Sequence, residues 1–136
     1  MSIEKYLPHR DPIRLIDKII SHDEASIICQ VDWPKKKFFH NNSHTAMIEM
    51  IAQASAVMMA YKKTGQDGLG MLTAIKNFNF IATPNPSDNL TVEITVEGGL
   101  GQHKIVNGTV YQQQKSLVKG RVFLYLETKH SEKQNE

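Results

Sequence analysis

The sequence predicts an α+β fold in which an antiparallel sheet wraps around one long central helix. Three observations predict it. Two strand-like segments come first, a stretch at 45–63 without glycine or proline follows, and alternating segments fill the chain after Gly70. A length of 136 residues fits a single domain spanning 1–136.

The first two strands are predicted at 13–20 and 25–33, which are apolar and rich in isoleucine. Cys29 lies within the second of these segments and is expected to be a small core residue. Pro34 and the run of three lysines at 35–37 end this strand. A basic run of this kind is typical of a solvated loop.

The helix is predicted over 45–63, because alanine and methionine favour helices and the segment is too long for a strand. Gly65 is suited to end it. The segment is apolar on nearly all sides, which predicts a buried helix. Glu49 is the one carboxylate in this apolar run, and a charge among apolar neighbours is costly unless it is paired or protonated. Its side chain therefore either points at water or uses the apolar surroundings for a function.

Four strands are predicted after the helix, at 71–81, 89–98, 103–113 and 117–127. The Gly-rich run 98–101 is expected to turn the chain, and residues 114–116 to join the last two strands. A polar tail follows from about residue 128. A sheet of this length curled around one apolar helix is the hotdog arrangement.

Composition excludes several classes of protein. A net charge of +2 and a pI near 8.6 are too mild to indicate nucleic-acid binding. No segment is long and apolar enough to suggest a membrane span. One cysteine forms no disulfide within the chain, so a reducing, cytoplasmic location is expected. No His/Cys/Asp cluster has the spacing of metal ligands, so no metal is expected.

Three motifs resemble the FabZ-type 3-hydroxyacyl-(acyl carrier protein) dehydratases. They are "LPHRDPIRLIDKI" at 7–19, "FF" followed by "EMIAQASA" at 49–56, and "IKNFNFIATPNPSDNLTVEITV" at 75–96. The resemblance covers about residues 7 to 127. None of the motifs is specific alone, but their order and spacing together are.

The resemblance implies a function and a site. These enzymes remove water from a 3-hydroxyacyl thioester, which acyl carrier protein carries on its phosphopantetheine arm, to give the 2-enoyl thioester. No other cofactor is implied. Glu49 matches the carboxyl residue that handles the departing hydroxyl, with Gln53 one turn later and Phe39 before it as expected substrate-binding residues. A carboxyl group in an apolar pocket can keep its proton and act as an acid.

The loop before the helix departs from that family. FabZ-type enzymes have a longer segment there, rich in proline and glycine, which carries the catalytic histidine. Here only "HNNSHTAMI" separates Phe39 from Glu49. His40 directly follows Phe39 and is the preferred base, with His44 as the alternative, and both being ordinary loop histidines stays open. His9 is expected to serve the packing and hydrogen bonding of the N-terminal segment, with catalysis as the less favoured alternative.

The short loop resembles divergent dehydratase-like proteins of aryl polyene pathways, some of which can act as partner subunits. Two alternatives to the dehydratase therefore stay open: a non-catalytic hotdog subunit or acyl-binding partner of an active dehydratase, and a hotdog thioesterase. Exposed sheet edges predict a homodimer or larger assembly, with a heteromer containing another hotdog protein as an option. The lysines at 35–37 are expected to help receive the acidic carrier protein.

Overall fold

A computed structural model describes residues 3–7, 9–62 and 68–128 of the chain. It contains one α-helix, α1 (Ser43–Lys62), and six strands. The strands are β1 (Lys18–His22), β2 (Ser26–Val31), β3 (Gly68–Phe80), β4 (Leu90–Leu100), β5 (His103–Gln112) and β6 (Lys115–Thr128). This is the predicted order of two strands, one helix and four strands.

The six strands form one antiparallel sheet in the order β1-β2-β4-β5-β6-β3. Strands β1 and β3 are its edges. The sheet curls around α1, which contacts every strand from β2 to β6. The predicted hotdog arrangement is confirmed.

The core lies between α1 and the concave face of the sheet. The fully buried helix residues include Met47, Met50, Ile51, Ala54, Val57 and Met58. They meet alternate strand residues, which include Ile27, Cys29, Val92, Ile94, Val106, Val110, Val118 and Val122. The period-two alternation seen in the sequence of β4 therefore does divide core from surface.

The helix is not covered on all sides, which corrects one expectation. Ile48, Glu49, Ala52, Ala56 and Ala60 are only half-buried, and they follow one line along α1. A single curled sheet covers one side of the cylinder and leaves this outer stripe open. Glu49 lies on the open stripe and not in the core.

The turns differ in detail from the sequence prediction. The glycine run at 98–100 belongs to β4, and the chain reverses at Gly101 and Gln102. Gly101 has φ +62°, a conformation that glycine adopts without strain. Strands β5 and β6 are joined at Gln113 and Gln114, which have φ 51° and 67°, one residue earlier than the sequence suggested.

The N-terminal region is mostly irregular. The predicted strand at 13–20 begins only at Lys18, because backbone groups of Ile13, Leu15 and Ile16 bond to the Gln53 side chain of α1 and not to a neighbouring strand. Three short 3-10 turns cover Ile3–Lys5, Trp33–Lys35 and Lys37–Asn42. The last of these leads directly into α1.

Candidate active site

Glu49 occupies the second turn of α1, on the open stripe. Its side chain is 39% exposed. Only the carboxylate oxygen Oε1 has a contact within the described residues: it accepts a hydrogen bond of 3.3 Å from Gln53 Nε2 and lies 3.7 Å from His9 Nε2. The charge is therefore tolerated in an apolar helix because it faces outward and has polar neighbours.

Gln53 is buried and holds the N-terminal region on the helix. Its Oε1 accepts hydrogen bonds from the backbone N–H groups of Leu15 (2.8 Å) and Ile16 (3.4 Å), and its Nε2 donates to the Ile13 carbonyl at 3.0 Å. Both ends of the amide are thus engaged inside the chain. It lies on the same face as Glu49, as predicted, but its contacts are those of a residue that positions its neighbours.

His9 was expected to serve packing, yet its imidazole lies beside Glu49. The His9 side chain is 33% exposed. Its Nδ1 atom is buried without a hydrogen-bond partner among the described residues. Two features of the sequence relate to this placement, the LPHR motif at 7–10 and a glutamine four residues after Glu49. Neither of them indicates by itself that His9 contacts Glu49. The contact arises only when Gln53 docks the N-terminal segment onto α1.

His40, the preferred base, is held in a defined orientation. Its Nε2 lies 2.7 Å from the Trp33 carbonyl oxygen, and its ring packs on the buried Trp33 indole with 4.8 Å between centroids. A carbonyl oxygen only accepts, so Nε2 must carry the proton and donate it. In the neutral ring this leaves the lone pair on Nδ1.

His44 and Phe39 have other surroundings. The exposed His44 ring stacks on Phe80 at the end of β3, with 4.2 Å between centroids. Phe39 packs against the core and meets the exposed Phe38 edge to face. Among the contacts of the described residues, none joins His40, His44 or Phe39 to Glu49 in the same chain.

Lys36 is not part of a solvated loop, which corrects a second expectation. Its side chain is only 8% exposed, and Nζ donates to Asp17 Oδ1 at 2.8 Å. Asp17 also contacts Arg14 at 3.3 Å and accepts a 2.7 Å hydrogen bond from the Asp32 backbone N–H. This network ties the N-terminal segment to the loop that carries His40. Lys35 and Lys37 are exposed, as predicted.

Cys29 is confirmed as a core residue. It is fully buried in β2, and desolvation raises the pKa of its thiol to about 12. A thiol in this state is a poor nucleophile. Cys29 therefore takes no part in the candidate site.

Within residues 3–7, 9–62 and 68–128, no group of three or more His, Cys, Asp or Glu side chains is arranged to hold a metal ion. None of the helices in this same part of the chain has the length and hydrophobicity needed to cross a membrane.

Comparison with known proteins identifies the family that the chain resembles. The family model described as "ApeP-like: ApeP dehydratase" matches residues 1–134. A 3-hydroxyacyl-[acyl-carrier-protein] dehydratase FabZ from Wolbachia pipientis subsp. Culex pipiens is 33% identical over 112 residues. That match covers 75% of this chain and 78% of the relative.

Solved structures share the fold. The dehydratase heterocomplex ApeI:P from Xenorhabdus doucetiae aligns with a TM-score of 0.76 at 22% identity, over 98% of this chain and 96% of that chain. A mutant of the thioesterase PA1618 from Pseudomonas aeruginosa aligns with a TM-score of 0.64 at 11% identity. The alignment covers 83% of this chain and 81% of the thioesterase. At these identities the likeness concerns the fold alone.

Proposed function

Because the chain belongs to the ApeP-like dehydratase family, we propose that it takes part in dehydrating a 3-hydroxyacyl thioester to the 2-enoyl thioester. The substrate would be carried on the phosphopantetheine arm of acyl carrier protein, in a fatty-acid-like or polyene pathway. The observation that carries the proposal is the position of Glu49. It is a carboxylate on the otherwise apolar open stripe of α1, and one of its oxygens accepts a hydrogen bond from Gln53.

The proposed reaction needs one base and one acid. The base takes the proton from the carbon next to the thioester carbonyl, and that electron pair forms the new double bond. The bond between C3 and its hydroxyl breaks, and the hydroxyl leaves as water with a proton from the Glu49 carboxyl group. A second subunit seated over the open stripe would exclude bulk water from Glu49 and from the substrate.

His40 is the proposed base. Its hydrogen bond to the Trp33 carbonyl supports this role, because it fixes the proton on Nε2 and leaves Nδ1 as the acceptor. Packing on the Trp33 ring limits rotation of the imidazole. His44 is the weaker candidate, because its ring stacks on Phe80 and has no polar contact with another described residue that would orient it.

The proposed site is composite. The His40 side chain is directed towards the Trp33 carbonyl, and Glu49 lies on the open stripe, so the two side chains are not in contact within one chain. Strands β1 and β3 are free edges of the sheet. These features support assembly with a second hotdog subunit, either another copy of this chain or a different one. The ApeI:P neighbour is named as a heterocomplex, which supports the second arrangement.

The same observations support an alternative in which this chain is a non-catalytic partner of an active dehydratase. Hydration of crotonyl thioester, the reverse reaction, separates the two proposals. It is measured for this chain alone, for a second hotdog subunit alone and for their mixture, while release of free thiol is followed to detect a thioesterase.

Glu49→Gln is the decisive variant. Glutamine is nearly isosteric and still offers an oxygen to Gln53, so the melting temperature should stay within a few degrees. It has no acidic proton, so the dehydratase rate should fall by on the order of a hundredfold. The exposed Glu24→Gln is the matched control and should keep full activity. Full activity of Glu49→Gln in the assembly would assign catalysis to the other subunit.

Mixing tests the composite site directly. If two copies of the chain form it, Glu49→Gln and His40→Ala are each inactive alone, but a mixed dimer contains one intact site. Recovered activity after mixing the two variants would support a homomeric site. No recovery, with activity restored only by a second hotdog protein, would support the heteromer.

A further inference from the structure

The His9 imidazole stands next to the proposed catalytic carboxylate, in the same subunit. His9 Nε2 is 3.7 Å from Glu49 Oε1, which is longer than a hydrogen bond but within the range of an ion pair. We infer that His9 is a positioning residue that, together with Gln53, sets the orientation of the Glu49 carboxyl group. This inference rests on the proposed function, because Glu49 is the proposed acid.

A series of hydrogen bonds holds the N-terminal segment in the position that brings His9 next to Glu49. Gln53 binds the backbone of Ile13 and Leu15, which docks the segment on α1. Arg10 Nη1 donates to the carbonyl oxygens of Leu7 (2.7 Å) and His9 itself (2.9 Å). Leu7 is buried in the core. These bonds fix the backbone on both sides of His9, which keeps its side chain within reach of Glu49.

Two nitrogen atoms converge on one carboxylate oxygen. Gln53 Nε2 and His9 Nε2 both approach Glu49 Oε1. A carboxyl group held through Oε1 leaves Oε2, which has no hydrogen bond or ion pair among the described residues, available to a substrate hydroxyl. Hydrogen bonds of catalytic groups are often long without substrate and shorten in the complex, so the 3.7 Å distance is compatible with this role.

The pattern of polar contacts is not that of a packing residue. The buried Nδ1 of His9 has no hydrogen-bond partner in the described part of the chain. An unpaired buried polar atom lowers stability, so an apolar side chain at this position would give a more stable fold. The contact with Glu49 involves two side chains that are each about one-third exposed, and such pairs add little to stability. Neither stability nor packing therefore accounts for an imidazole at this position.

Kinetics of three variants test the inference in the active assembly. His9→Leu should lower kcat by about tenfold and leave KM within about twofold, because only the geometry of the acid is disturbed. His9→Gln still carries an N–H donor and should recover most of the rate. His103→Leu, at the exposed start of β5, is the control and should leave the rate unchanged.

A double variant shows whether His9 acts through Glu49. In the Glu49→Gln background, His9→Leu should cause no further loss, because there is no acid left to orient. An equal loss in both backgrounds, or full activity of His9→Leu, would overturn the inference.

An NMR measurement tests the inference without any activity. The side-chain amide of Gln53 reports on the carboxylate that it contacts. His9→Leu should shift these amide signals and leave the backbone amides of Leu15 and Ile16 in place. If the Gln53 signals stay unchanged, His9 does not position Glu49. If all of these signals move together, His9 holds the segment and the inference is wrong. Absence of hydration by the wild-type assembly would instead overturn the proposed function.

Discussion

Gln53→Met tests whether one amide holds the N-terminal region on the central helix. Methionine has a similar length and volume but no hydrogen-bonding group, so the change leaves no large cavity. It removes the 2.8 Å bond from the Leu15 N–H and the 3.0 Å bond to the Ile13 carbonyl. Leu15 is fully buried, so its N–H finds no water, whereas the exposed Ile13 lies closer to solvent.

The expected cost follows from these two groups. An unpaired buried backbone N–H costs roughly 1–3 kcal/mol, and the carbonyl adds less, which gives a loss of about 2–3 kcal/mol in the free energy of unfolding. For a domain of this size, that corresponds to a fall in melting temperature of about 8–10 °C. Circular dichroism during heating measures it, and urea unfolding gives the free energy independently.

Ser55→Ala is the matched control. Ser55 is also a buried polar residue of α1, but its hydroxyl donates at 2.7 Å to the carbonyl of Ile51, within the helix itself. That carbonyl keeps its backbone partner when the hydroxyl is removed, so the cost should be below about 1 kcal/mol. A Gln53→Met variant no less stable than Ser55→Ala would refute the reasoning. A Gln53→Met variant with normal stability and a raised KM would return Gln53 to the role of a substrate-binding residue.

Three further predictions concern other parts of the chain. The thiol of Cys29 should resist modification in the folded state, because burial raises its pKa to about 12. As pH rises above about 9 the thiol ionises first in the unfolded chain, so the free energy of unfolding should fall. Urea unfolding at pH 8 and 10 measures this fall, which should be smaller in Cys29→Ala. Lys36→Met should lower the melting temperature by several degrees, because it leaves the Asp17 charge without its closest cation. Lys37→Glu should leave stability unchanged and weaken carrier-protein binding only at low salt. Carrier-protein binding that does not depend on salt would contradict a steering role for this lysine. Gly108→Ala should destabilise the fold because the added Cβ collides with the Ile51 side chain, first of all with its Cγ2 atom. In an Ile51→Ala background, which lacks that atom, Gly108→Ala should cost less stability if this contact is the cause.

The sequence was sufficient for the architecture because each element carries its own pattern. The alternation in β4 and the unbroken alanine- and methionine-rich run of α1 correspond to buried and exposed positions in the structure. The extent of helix burial was not predictable, because it depends on how far one sheet can curl around a cylinder. Glu49 therefore looked like a core charge in the sequence and lies on the open stripe in the structure.

Contacts distant in sequence account for the remaining errors. The lysines at 35–37 have the same local character, but only Lys36 reaches Asp17, 19 residues earlier in the chain. His9 and Glu49 are brought together by Gln53, which binds backbone groups 37 to 40 residues away. No periodicity or local motif encodes such pairings, so the sequence favoured packing and hydrogen bonding over catalysis for a histidine in a turn-rich segment and gave no sign of its contact with Glu49.

The short loop before α1 also explains why a complete site should need a second subunit. The helix begins at Ser43, so Glu49 lies six residues into it, roughly 9 Å along its axis at 1.5 Å per residue. His40 precedes the helix and is turned away towards the Trp33 carbonyl. No extra residues are available to fold His40 back along the helix towards Glu49. Proximity of acid and base contributes much of the rate in such chemistry. Under the proposed composite site, His40 of a neighbouring subunit would supply the base, while His9 and Gln53 of this chain would orient the Glu49 carboxyl group.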